Sequence, residues 1–131
     1  MRLLATATSK EEIVKGLEEM TGGTRDFVLF AAGSHSRWLS AYHDGAKKYR
    51  ETHIYTIGNP ILGEAMLSLD LTTGLHIPPK FLVLAREDGK GTDITYDLMT
   101  SVADLKGNEE LKKAAQIVDD KLEAMVKRVL A

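Results

Sequence analysis

The chain has 131 residues, with 17 basic and 19 acidic side chains, a net charge of -2 at pH 7 and 44% hydrophobic residues; this suits one domain around one core and gives no field for a nucleic-acid backbone or an anionic membrane. It contains no cysteine, which excludes disulfides, thiolate metal sites, iron–sulfur clusters and cysteine nucleophiles. Residues 1–8 are too short an apolar run for a signal peptide, and no stretch reaches the ~20 apolar residues of a membrane helix, so a cytoplasmic protein with no membrane partner is expected.

In chain order, residues 3–7 read as a short first strand. Ser9 and Glu12 then form a capping-box pattern that starts a helix with Ile13, Val14, Leu17 and Met20 on one face. Gly22 and Gly23 end that helix, because glycine accepts a left-handed C-cap. Residues 26–32 are short and nearly all apolar, as in a buried strand. Residues 37–43, with Trp38, Leu39 and Tyr42, suggest a short helix stopped by Gly45. Residues 49–57 are rich in β-branched and aromatic side chains and predict another strand.

Gly58-Asn59-Pro60 marks a helix start, with Asn59 as N-cap and Pro60 at the first helical position. Ile61, Leu62, Ala65, Met66 and Leu69 give that helix its apolar face. Gly74 and Pro78-Pro79 break the chain before a strand at 81–85. The turn at 87–91 and residues 92–96 complete a hairpin. Asn108 caps a final long helix, with Glu109 and Glu110 in its first turn and Lys127 and Arg128 in its last. Its stripe runs through Leu111, Ala114, Ala115, Val118, Leu122, Met125, Val126 and Val129. These elements predict an α+β fold, with helices packed mainly on one face of a largely antiparallel sheet.

The ordered set Tyr55-Thr56-Ile57-Gly58-Asn59-Pro60, Leu62-Gly63, Gly74-Leu75-His76-Ile77-Pro78, Glu87-Asp88-Gly89 and Tyr96-Asp97 resembles the domain-of-unknown-function 302 family. The likeness extends over nearly the whole chain and is weakest across residues 33–50. It implies strand, helix, four strands and helix, like half of the TATA-box-binding saddle, and a tendency to pair as homodimers. It implies no reaction.

The chemistry-bearing residues leave several readings open. His35, His43, His53 and His76 lack the tight spacing of a metal-binding helix, so no metal and no cofactor is expected. His53 and Tyr55 share a strand face. Gly58 leaves backbone accessible, and a helix N-terminus at Asn59 can hold an anion. The ligand-binding candidates are therefore His53, Tyr55, Gly58, Asn59 and His76, against a plain capping role for Asn59. Ser34, His35, Ser36 and Asp44 have the residue types of a hydrolase triad without its nucleophile turn. The basic run Lys47-Lys48-Tyr49-Arg50 fits a solvated turn in a slightly acidic chain, and no nucleic-acid partner is expected. Trp38, Tyr42, Tyr49 and Tyr55 could line a pocket or pack in the core. The leading expectation is a non-catalytic small-molecule binding or sensing module. The alternatives are an enzyme using a histidine such as His53 or His76 as acid or base, or a structural homodimerisation module.

Overall fold

The computed structural model describes all 131 residues. Two helices open the chain, α1 (Arg2–Thr6) and α2 (Lys10–Thr21). The Ser9 hydroxyl accepts from the Glu12 amide at 3.1 Å, and the Glu12 carboxylate reaches back to the Thr8 amide at 2.9 Å. Gly22 closes α2 at φ +64°. Residues 3–7 are therefore not a strand. A run this short carries no readable period, and Leu3 lies against Gly16 of α2, where an added Cβ would come within 2.7 Å of its Cδ1. The half-saddle layout implied by the family resemblance loses its leading strand here.

Four strands follow: β1 (Val28–Ser34), β2 (Thr52–Gly58), β3 (Lys80–Ala85) and β4 (Thr92–Tyr96). They form one antiparallel sheet in the order β1-β2-β3-β4. Helix α3 (His35–Tyr42) joins β1 to β2, and α4 (Pro60–Leu67) with a 3-10 helix (Leu71–His76) joins β2 to β3. Asp70 caps the 3-10 helix; bonds from the Thr72 hydroxyl and then its amide hold the Asp70 carboxyl below its ordinary value. A four-residue helix α5 (Met99–Val102) precedes the long helix α6 (Glu109–Leu130).

Register sorts the sheet into two faces. Tyr55 stands opposite Phe81, and Phe81 opposite Tyr96, with the Phe81 and Tyr96 rings stacked at 4.9 Å. This face meets the buried side of α6, where Leu111, Ala115, Val118 and Leu122 join Met66, Phe81 and Met99 in one core. The α6 stripe read from the sequence holds up to Val126, whereas Val129 is exposed. On the other face Ile54 lies opposite Leu82 and Thr52 opposite Leu84, and none of these four is buried.

One feature of the core has no local sequence signal. Asp119 on α6 is buried, and its carboxylate accepts from the amides of Met99 and Thr100 at 2.6 and 3.1 Å and from the Thr100 hydroxyl at 2.6 Å. It satisfies the open N-terminal donors of α5 from twenty residues away.

Candidate functional site

Strand β2 separates two clefts. Its last residue, Gly58, is buried, and an added Cβ would sit 2.8 Å from Pro78 Cβ and 3.3 Å from Phe30 Cε2. The glycine is needed for this close approach. Asn59 next to it uses both ends of its amide: Oδ1 accepts from the Ile61 amide at 2.9 Å, and Nδ2 donates to the Asp26 carbonyl at 2.8 Å. Asp26 also pairs with Lys121 of α6 at 2.7 Å, so Asn59 caps α4 and ties it to the segment before β1.

Capping removes most anion-binding capacity from this helix start. Pro60 has no N–H, the Ile61 amide bonds the Asn59 side chain, and the Gly63 amide bonds the Asn59 carbonyl at 2.9 Å. One first-turn donor, the Leu62 amide, is left over. The space around it is apolar. A cleft of about 860 Å³ opens between α2, α4 and the end of the sheet, walled by Ile13, Val14, Phe30, Leu62, Ile77 and Pro78. Lys10 and Glu64 line it as well. This volume falls in the range of small-molecule sites.

The other end of β2 borders a polar cleft of about 670 Å³. His53 and Tyr55 lie in it, their rings stacked 6.3 Å apart with 22° between planes. A histidine beside a carboxylate occurs here: His53 Nε2 is 3.8 Å from Glu51 Oε2, with the Glu51 side chain largely in solvent. His76 belongs to neither place and lines a small hollow with Leu75, Lys80 and Asp97.

The five residues singled out from the sequence thus fall into three places, with Gly58 and Asn59 at one, His53 and Tyr55 at another, and His76 at a third. The strand itself is the reason. At about 3.4 Å per residue, five residues separate His53 from Gly58 by roughly 17 Å. The remaining histidines have local partners: His35 Nδ1 accepts from Trp38 Nε1 at 3.1 Å, and His43 lies against Tyr42 and Tyr49. No three His, Asp or Glu side chains gather as metal ligands would. Ile13, Val14 and Phe30 escaped notice as site residues, because apolar periodicity marks a cleft wall and a core face identically.

Comparison with known proteins agrees with this architecture. Residues 4–129 match the family described as "Domain of unknown function DUF302". A crystal structure of an uncharacterized conserved DUF302 protein from Bacillus stearothermophilus matches with a TM-score of 0.68 and 23% identity, covering 92% of this chain and 91% of that one. That likeness concerns the fold. No curated protein matches the sequence.

Proposed function

The chain belongs to the DUF302 family, and we propose that it is a small-molecule binding or sensing module whose apolar cleft beside Gly58 and Asn59 takes an apolar or amphiphilic ligand. The observation that carries this reading is the cleft itself, about 860 Å³ with most of its lining residues hydrophobic. Burial of an apolar ligand there gains about 25 cal/mol per Å² removed from water. The committed amides at the start of α4 argue against a small anion as the main ligand.

Filling the cleft tests the reading. Val14→Trp places an indole in the space from the α2 wall and should weaken binding of an apolar fluorescent probe such as cis-parinaric acid at least tenfold, with the melting temperature nearly unchanged. Equal affinity in the variant, or no probe binding by the wild-type protein, overturns it.

A second reading, homodimerisation, has its own support. The chain exposes 9108 Å², whereas a folded monomer of 14.4 kDa exposes about 6,800 Å². The excess of about 2,300 Å² is comparable to the roughly 1,000–2,500 Å² that each chain buries in an obligate homodimer. The sheet face bearing half-buried Ile54, Leu82 and Leu84, mixed with Thr52, Thr56, Lys80, Asp93 and Thr95, is the surface that a second copy would cover, sheet on sheet. Leu82→Lys should convert a sedimenting dimer to a folded monomer. A wild-type protein that sediments as a monomer at tens of micromolar overturns this reading.

A further inference from the structure

We infer that the polar cleft at the start of β2 is a second, independent binding site, for a small organic anion that presents a phosphate or carboxylate on a ring-shaped body.

Two unpaired cations come first. Arg37 on α3 and Lys48 in the following loop both line the cleft. Neither takes part in an ion pair. Arg50, the neighbouring cation, is already engaged with the Ala85 carbonyl at 3.2 Å and with Glu87 at 3.9 Å. The basic run 47–50 is therefore divided, with Arg50 fastening β2 to β3 and Lys48 left facing the cleft. Glu51 is the single carboxylate in the lining, and its side chain is 83% exposed. The two cations thus outnumber the one acid around the cavity, which favours an anion.

The hydroxyl groups divide in the same way. Ser34 Oγ accepts from the Arg37 amide at 3.2 Å and lies 3.0 Å from Ser36 Oγ, which accepts from the Thr52 amide at 3.1 Å. These two serines fix the wall between α3 and β2. Ser40, Tyr49 and Tyr55 also line the cleft, and their hydroxyls make no hydrogen bond within the protein. They are available to a ligand that carries oxygen atoms.

The floor is aromatic and accessible. His53 and Tyr55 stack on β2, and their partners on the edge strand are Ser34 and Ala32, with Gly33 between. Small side chains on β1 leave this pair open on one side, with the His53 side chain 41% exposed and Tyr55 half-buried beside it. A planar or ring-shaped body can lie on that floor, with its charged group between Arg37 and Lys48. Phosphate and carboxylate share the oxyanion chemistry that the two cations read.

The test uses the full chain and three probes, namely inorganic phosphate, ribose 5-phosphate and 4-hydroxybenzoate, followed by calorimetry and by amide shifts. At least one ring-bearing probe should bind tenfold or more tightly than inorganic phosphate, with shifts at Ser40, Tyr49 and His53. Arg37→Ala and Lys48→Ala should each weaken it tenfold or more, and Glu51→Gln should strengthen it several-fold. Preference for ribose 5-phosphate or for 4-hydroxybenzoate identifies the anion as phosphate or carboxylate. Arg37 and Lys48 are exposed, so folding of these variants is not at risk. No binding of any probe at millimolar concentration, or binding unchanged in the Arg37→Ala/Lys48→Ala double variant, overturns the inference. Val14→Trp, which fills the other cleft, should leave this binding intact.

Discussion

Leu122→Asp is expected to abolish cooperative folding. Leu122 has no solvent exposure and sits in the core with Met66, Phe81, Leu111 and Val118. Aspartate there would place a carboxylate among apolar side chains with no cation or donor assigned to it. Losing the leucine contacts and burying a charge together cost roughly 5 kcal/mol or more. A domain of this kind has about 5–15 kcal/mol of total stability. Circular dichroism should show no sharp melt. Leu122→Met, which conserves volume, should lose less than about 1.5 kcal/mol. An unchanged melting temperature for Leu122→Asp would remove α6 from the core.

Asp119→Ala should cost about 3 kcal/mol, although no ligand or neighbour in sequence marks the residue. Its carboxylate accepts three hydrogen bonds from Met99 and Thr100, and bonds to a charged acceptor contribute roughly 1.5–3 kcal/mol each before relaxation. Alanine would leave the Met99 amide without a partner in a buried place. The melting temperature should fall by roughly 10 °C or more for a chain of this size. Asp119→Asn retains one carbonyl acceptor and should lose clearly less. A loss for alanine below about 0.5 kcal/mol would show that Met99 packing alone holds α5 in place.

The sequence was most legible where a structure is decided by near neighbours. The Ser9–Glu12 cap, the Asn59 cap with Pro60, the 92–96 strand and the Asn108 cap all appear where their local patterns place them. Each cap depends on residues no more than four apart, and the strand on a hairpin turn of six residues. Two short elements, α1 and α5, were not legible. Residues 3–7 form a helix because Leu3 finds α2, and α5 exists because Asp119 reaches it across the chain. The same limit applies to the site. Four of the five candidate residues lie between positions 53 and 59, yet β2 is extended and holds His53 and Gly58 at opposite ends. Whether Ile13 and Val14 fill a core or wall a cleft depends on what α4 and β1 place across from them, which no periodicity states.

The order of the strands also bears on time. In the sheet β1-β2-β3-β4 every pairing joins strands adjacent along the chain, but the connections differ in length: residues 35–51 and 59–79 carry helices, whereas 86–91 form a tight turn. The β3–β4 hairpin has the shortest connection and can form within microseconds. Docking of α6 is another matter, since the Lys121–Asp26 pair joins residues 95 positions apart. That pair closes the longest stretch of chain, so it is expected to form after the hairpin, late in folding. Weakening that clasp acts mainly on how fast the native state opens, while changes in the hairpin turn act on how fast it is reached.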